Sequence, residues 1–267
     1  MKRFILNTEP DKDNNVRLEG NDYRYLVRVR RLAPGEFFPA LLPNGEETLV
    51  QILSVDHGVL TGKCNNPENH HARAQRHKEN KTESAPPIIL FQALPKGDKM
   101  DLIVRQAAEG GLTEIVPFVS EFSIARIKAS GQQKQSRWER IIKEARQQSG
   151  SPTATAVHPP LTTDGLFAYW GEIREKMPDT LGLLFHHLPL AQASLHSYLE
   201  TIPEAVVIAI GPEGGFSGSE VSRFLEAGFV PLTIGDTILR TETAALYCAA
   251  AIRIILLERN SWEMKKA

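Results

Sequence analysis

Five runs of strand length, Ile88–Leu94, Glu114–Val119, Leu181–His186, Ala205–Ile210 and Val230–Gly235, are dominated by apolar residues that do not alternate with polar ones. A strand wetted on one face alternates. A strand apolar throughout is buried on both faces, which a parallel sheet covered by helices provides. The intervening segments carry helix signals. Asp98 can cap a helix that ends near Gly110 and Gly111. Ser136-Arg-Trp-Glu139 reads as a capping box with Trp138, Ile141, Ile142 and Ala145 on one face and Gly150 as a stop. Ser217-Gly-Ser-Glu220 is a second box, followed by Val221, Phe224 and Leu225 and then Gly228. Strand–helix alternation of this kind predicts an α/β domain over residues 88–267 with a parallel sheet. The last helix, predicted over Thr243–Glu258, is apolar almost all round. It must be buried on most sides, within the domain, at a subunit interface, or both.

The N-terminal part reads differently. Arg3–Thr8, Glu36–Leu42, Glu47–Val55 and Val59–Cys64 are predicted strands, and Asn44-Gly45 is a hairpin signal. They predict a small β-barrel over residues 1–70. Residues 65–87 contain no Val, Ile, Leu, Phe, Met, Tyr or Trp, which places a linker at 71–87. His70, His71 and His77 in this stretch have no cysteine or acidic ligand pattern beside them, so no metal is expected. The two cysteines, Cys64 and Cys248, are far apart and form no disulfide framework. The N-terminal apolar run is too short for a signal peptide. Ala244–Ile252 is shorter than the roughly 20 residues that a membrane span needs. A cytoplasmic protein is expected. The net charge of −1 rules out global basicity but not a local basic face.

Several strand ends carry chemistry. Ile210-Gly-Pro-Glu-Gly-Gly-Phe-Ser217 closes a buried strand and opens a helix, where open α/β sheets bind ligands. Gly211, Gly214 and Gly215 allow close backbone approach, while Glu213 repels a phosphate, so a cationic or neutral ligand is expected. Leu239-Arg-Thr-Glu-Thr-Ala-Ala245 starts the final helix. Arg240 and Glu242 there form either an ion pair, with Glu242 suited to the helix dipole, or a site in which Arg240 reaches substrate. His186, after Phe185, ends another strand. Lys96 and Lys99 flank Gly97 at a helix start, as a solvated turn or a phosphate clamp. Arg24, Arg28, Arg30 and Arg31 surround Tyr25 without an acid among them, a pattern that suits RNA.

Four segments, Ala93-Leu-Pro-Lys-Gly-Asp-Lys-Met-Asp101, Glu109-Gly-Gly-Leu-Thr-Glu-Ile-Val-Pro117, Ile210–Ser217 and Ile238-Leu-Arg-Thr-Glu-Thr-Ala244, occur in this order. Together they resemble the RsmE family of bacterial 16S ribosomal RNA uridine-N3 methyltransferases, in the SPOUT superfamily. The resemblance covers nearly the whole chain. It implies a PUA-like N-terminal barrel, a trefoil knot in the α/β domain and a homodimer with the final helix at or near the interface. The implied cofactor is S-adenosylmethionine, bent among three loops. The implied cofactor-binding residues are Phe185, His186, Ile210, Gly211, Pro212, Glu213, Gly214, Gly215, Ile234, Gly235, Ile238, Leu239, Thr241 and Thr243. Arg240 and Glu242 become the catalytic pair, with Arg240 stabilising charge on the base and with Glu242, His186 and Glu109 as candidate bases. Arg24, Tyr25, Arg28, Arg30, Arg31, Lys96 and Lys99 become contacts to 16S rRNA or the small subunit.

Three segments depart from the family pattern. Gln147-Gln-Ser-Gly-Ser151 stands in place of Glu-Gln-x-x-Arg, Tyr25-Leu-Val-Arg-Val-Arg-Arg31 in place of His-x-x-Arg-Val-Leu-Arg, and Ser120-Glu-Phe122 in place of Ser-Glu-Arg, with Arg126 further on. They bear on RNA recognition and leave two other readings open. One is a SPOUT enzyme acting on tRNA or a ribose 2′-hydroxyl; the other is a non-catalytic assembly factor that binds rRNA.

Overall fold

The computed structural model describes residues 4–65, 85–124, 131–186, 192–233, 235 and 237–263. The chain divides into two compact units, residues 1–81 with 146–154 and residues 82–145 with 155–267. The three linker histidines and most of the expected linker lie outside the described residues.

The first unit contains β1 (Phe4–Ile5), β2 (Asn15–Glu19), α1 (Gly20–Tyr23), a π-helical stretch (Arg24–Val29), β3 (Phe37–Leu41), β4 (Glu47–Asp56) and β5 (Val59–Asn65). The strands pair in the order β1-β3-β4-β5-β2. Only β1 and β3 run parallel. β3 and β4 do form a hairpin, with Gly45 at φ 90°, but Asn44 is not at positive φ and the connection runs over residues 42–46 instead of two residues. The side chains of Phe4, Leu18, Leu26, Phe38, Val50, Ile52 and Leu60 meet in one core.

Two features depart from the sequence expectation. β2 is a fifth strand, with Val16 and Leu18 buried and Arg17 exposed; its short apolar alternation is easily lost among polar neighbours. Of the Arg24–Arg31 segment, read only as a basic run, Arg24–Val29 is helical. It closes with the Arg30 N–H donating to the Tyr25 carbonyl at 2.9 Å, an i to i+5 bond. Leu26 anchors this turn in the core, leaving Tyr25 and Val29 at the surface.

The second unit is built on a parallel sheet. Its strands are β6 (Ile88–Ala93), β7 (Glu114–Val119), β8 (Ala156–Val157), β9 (Leu161–Thr162), β10 (Thr180–Phe185), β11 (Ala205–Ile210) and β12 (Val230–Leu232). They run in the order β12-β10-β11-β6-β7-β8, and β9 also pairs with β7. The helices are α2 (Lys99–Glu109), α3 (Gly131–Ser149), α4 (Thr163–Lys176), α5 (Leu195–Tyr198), α6 (Gly218–Glu226) and α7 (Thr241–Glu263). Every residue of β6 and β11 is buried, as non-alternating runs demand. One face packs on Met100, Ile103, Trp138, Ile142 and Ile252. The other packs on Leu166, Trp170 and Phe224.

Four helices differ from their sequence outlines, and one of them, α5, was not anticipated. α3 begins at Gly131, so Ser136 lies inside the helix rather than capping it; Gln and Lys upstream are competent helix formers and extend it. α4 was not anticipated either. Thr162 caps it by accepting from the Gly165 N–H at 3.1 Å. α7 starts at Thr241 and buries Ala245, Cys248, Ala249 and Ile252, yet exposes Leu246, Tyr247, Ile254 and Leu257. The burial expected on most sides is therefore met on one face of this unit and not on the other. No described helix is long and apolar enough to cross a membrane.

The Ser217–Glu220 box is formed as expected, with both reciprocal bonds present. Glu220 does more than cap. Its carboxylate accepts from the Ser217 N–H, the Ser120 hydroxyl and the Glu121 N–H, each at 3.0 Å. Glu220→Ala leaves these donors without their acceptor and is expected to cost about 2 to 3 kcal/mol. The denaturant midpoint measures it, and an unchanged midpoint would mean that water replaces the carboxylate at no cost.

Candidate functional site

The register of the parallel strands builds the site. Phe185 of β10 stands opposite Ile210 of β11 and Leu232 of β12. The three strands therefore end level, and the loops that follow rise from one edge of the sheet. With the start of α7 they enclose a cavity of about 550 Å³. That volume lies within the range of small-ligand sites. Phe185, Ile210, Leu232, Ile238 and Leu239 supply apolar wall, and Lys99, Glu213 and Arg240 supply charge.

The glycine turn is folded tightly on itself. A Cβ on Gly211 would fall 3.2 Å from the Cα and carbonyl carbon of Gly215, and Gly215 holds φ +72°. The Gly215 N–H donates to the Pro212 carbonyl at 2.9 Å. The turn is tied to α7, because the Thr241 hydroxyl donates to the Gly211 carbonyl at 2.7 Å. Below it, fully buried Gln92 donates through Nε2 to Thr241 Oγ1 at 3.0 Å and to the Ala93 carbonyl at 2.9 Å. Strand β6, the glycine turn and α7 thus share one hydrogen-bonded chain.

Charge in the site is paired unevenly. Lys99 Nζ lies 2.7 Å from Glu213 Oε1 and 3.7 Å from Glu242 Oε2. The Lys96 N–H also donates to Glu213 Oε1 at 3.1 Å. The hydrogen bond to Glu213 raises the Lys99 pKa above its usual value. Burial pushes the Glu213 carboxyl up, but the bonds from Lys99 and the backbone outweigh it and hold it below the usual carboxylate range. One ammonium faces two carboxylates; Lys99 and Glu213 of this group line the cavity, and Arg240 adds a second cation to the wall. Arg240 is exposed on the cavity wall, and among the described residues no carboxylate pairs with it. The ion pair between Arg240 and Glu242 considered from sequence is therefore not formed, since Glu242 turns to Lys99.

The structure brings most of the expected residues together. Phe185, His186, Ile210, Gly211, Pro212, Glu213, Gly214, Gly215, Ile238, Leu239, Arg240 and Thr241 all line the cavity, and so does Lys99, expected only as an RNA contact. Glu242 does not line it and stands behind Lys99. Thr243 and Gly235 are exposed and outside the lining, and Ile234 lies outside the described residues. Glu109 sits at the far end of α2 from Lys99, roughly 15 Å along the helix. Arg24, Tyr25, Arg28 and Arg31 are exposed on the first unit, Arg30 is half-buried there, and Lys96 is exposed on the second.

Sequence reading placed Phe216 and Thr237 in its cofactor loops but missed Leu232, Thr233, Ala244 and Cys248 in the lining. Thr241, Ala244 and Cys248 follow the i, i+3, i+7 spacing of one helix face, which is the signal that was available. Cys248 is buried, and burial pushes its thiol pKa far up, as expected of an unreactive wall residue. Gln92, a lone polar residue in an apolar strand, was a further clue.

Comparison with known proteins agrees with this geometry. A model described as RNA methyltransferase domain matches residues 82–253. Ribosomal RNA small subunit methyltransferase E of Synechocystis sp. is 31% identical over 258 residues, covering 95% of this chain and 78% of that protein. Ribosomal RNA small subunit methyltransferase E 2 of Borreliella burgdorferi is 28% identical and covers 97% of this chain and 100% of its own length. A crystal structure of ribosomal RNA small subunit methyltransferase E from Neisseria gonorrhoeae, bound to S-adenosyl methionine, superposes with a TM-score of 0.75 at 26% identity, covering 96% and 98% of the two chains. Matches over nearly full length, on a sheet whose level strand ends form the cavity, make this chain a member of the ribosomal RNA small subunit methyltransferase E (RsmE) family.

Proposed function

We propose that this chain methylates N3 of a uridine in 16S ribosomal RNA with S-adenosylmethionine as methyl donor. The observation that carries the reading is the cavity at the ends of β10, β11 and β12. Its glycine turn carries a carboxylate, Glu213, which repels a phosphate. The residues present fit the cofactor. Phe185, Ile210, Leu232 and Leu239 suit an adenine ring, and the Glu213 carboxylate offers a sulfonium a counter-charge. When bound, S-adenosylmethionine supplies an electrophilic methyl group. The holding residues would be Phe185, His186, Ile210, the turn Gly211–Gly215, Ile238, Leu239 and Thr241, with Ile234, Gly235 and Thr243 as further proposed contacts.

The work left to the protein is to orient the base and to manage one proton. The imide N3 of uridine is a poor nucleophile until its proton leaves. Arg240, exposed at the wall with no carboxylate partner among the described residues, stabilises the negative charge that then spreads over the uracil oxygens. Of the three acid–base candidates only His186 lines the cavity, which supports assigning it the role of proton acceptor. Glu242 acts through Lys99, holding the ammonium that orients Glu213.

On this reading the first unit is a PUA-like barrel over residues 1–70, joined by the linker 71–87 to a knotted SPOUT domain over 88–267. The enzyme is a cytoplasmic homodimer. The uncovered apolar face of α7 supports the dimer.

Small subunits from a strain lacking the activity, incubated with labelled S-adenosylmethionine, are expected to gain N3-methyluridine, read by nucleoside mass spectrometry. A methyl on a ribose, a product only in tRNA, or no product would overturn the assignment. The basic turn is expected to hold the phosphate backbone. Replacing Arg28, Arg30 and Arg31 together by Ala is expected to flatten the slope of log K against log salt by about 2, at roughly 0.7 per contact. An unchanged slope would return the segment to a solvated surface.

A further inference from the structure

Between β7 and α3 the chain makes a short turn at residues 120–123, which sets an aromatic side chain at the surface. Phe122 is 48% exposed and belongs to neither core cluster of its unit. Next to it Ile124 is 71% exposed. An exposed aromatic on a loose loop would mean little. This turn is held on both sides of Phe122.

Before it, the Ser120 hydroxyl and the Glu121 N–H both donate to buried Glu220. After it, the Ser123 hydroxyl donates to the Leu94 carbonyl at 3.1 Å, and the Ser123 N–H closes the turn on the Ser120 carbonyl at 2.9 Å. Glu220 also caps α6 through Ser217, directly after the glycine turn. The turn that carries Phe122 and the turn that lines the cavity are therefore fastened to one carboxylate.

The result is direct contact. A Cβ on Gly214 would meet the Cβ of Phe122 at 3.2 Å and its ring at 3.6 and 3.7 Å. Phe122 thus lies against a residue that lines the cavity. Lys96, exposed on the adjoining loop, adds positive charge at the same edge, since its N–H bonds Glu213. A flat apolar ring in a rigid mount, beside a cation and a methyl-donor cavity, has the makeup of a base-stacking platform.

We propose that Phe122 stacks on the uracil ring of the target nucleotide and holds its N3 edge toward the cavity. The inference rests on the proposed RNA base methylation and adds to it the residue that seats the base. Stacking requires an aromatic ring, and a greasy side chain of similar size does not replace it.

Four variants and one spectroscopic measurement test this. With small subunits as substrate, Phe122→Ala and Phe122→Leu are expected to raise KM about 5- to 150-fold, the range of a single base stack, while S-adenosylmethionine affinity by calorimetry stays unchanged. Phe122→Tyr and Phe122→Trp are expected to stay near the parent value. In Phe122→Trp, oligouridine is expected to quench the new fluorescence, whereas an abasic backbone of equal length does not. Leu performing as well as Phe, or equal quenching by both oligonucleotides, or no quenching, would overturn the proposal. Should the parent protein methylate no uridine while uracil-dependent quenching persists, the reaction assignment fails and the stacking contact stands.

Discussion

Arg240→Ala is expected to lower kcat by about 10²- to 10³-fold, the loss typical of one donor aimed at developing negative charge. The affinity for S-adenosylmethionine is expected to stay nearly unchanged. The separation follows from the surroundings of Arg240. Its guanidinium has no carboxylate partner among the described residues, so removing it leaves no buried charge exposed. Its structural work is done by the backbone, since the Arg240 carbonyl accepts from the Thr243 N–H at 2.9 Å and the Ala244 N–H at 2.8 Å. Alanine keeps both bonds. Single-turnover rates with RNA, set beside calorimetry with cofactor alone, measure the two effects separately. A large loss of cofactor binding with an intact chemical step would make Arg240 a wall residue instead.

Gly211→Ala is the second large effect, and it falls on binding. The new methyl would press on the Gly215 Cα and carbonyl carbon at 3.2 Å and on the Phe216 nitrogen at 3.4 Å. These are backbone atoms of a turn pinned by the Pro212 carbonyl and by Thr241, and they cannot move aside as a side chain tip would. The turn must open, and a displacement near 1 Å at a positioned site costs on the order of 100-fold. A loss of about 100-fold in cofactor affinity is therefore expected. Gly218→Ala is the control, because a Cβ there meets nothing within 4 Å. Equal effects of the two substitutions would mean that loss of glycine flexibility, and not the crowded turn, weakens binding.

Much of the sheet was legible before any coordinates. β7 and β11 match their apolar runs at both ends, because a strand buried on both faces has no alternative composition. The Ser217–Glu220 box was legible for the same local reason, since both partners lie within one turn of helix. Elements with mixed local signals were lost. β2 has only two buried residues among polar neighbours. The π-helical turn depends on Leu26 reaching a core built from distant strands.

The site divides along the same line. Residue identities at the strand ends, with the glycine turn and the cluster at Arg240 and Glu242, followed from short-range patterns and from resemblance to a family. Partner choice did not. Glu213 and Lys99 are 114 positions apart, and Gln92 and Thr241 are 149 apart. From sequence, Glu242 had an adjacent partner in Arg240 and a remote one in Lys99. The parallel register decided between them by bringing the start of α2 against the start of α7. Lys99 was thereby drawn into the cavity wall, and Arg240 was left there with no carboxylate partner among the described residues. Sequence alone determined the parallel α/β domain and which peptides meet at its edge, because periodicity and turn chemistry act within a few residues. Only the tertiary structure decided which charges pair, because Coulomb and hydrogen-bond energies depend on distances of a few ångströms that sequence separation does not encode.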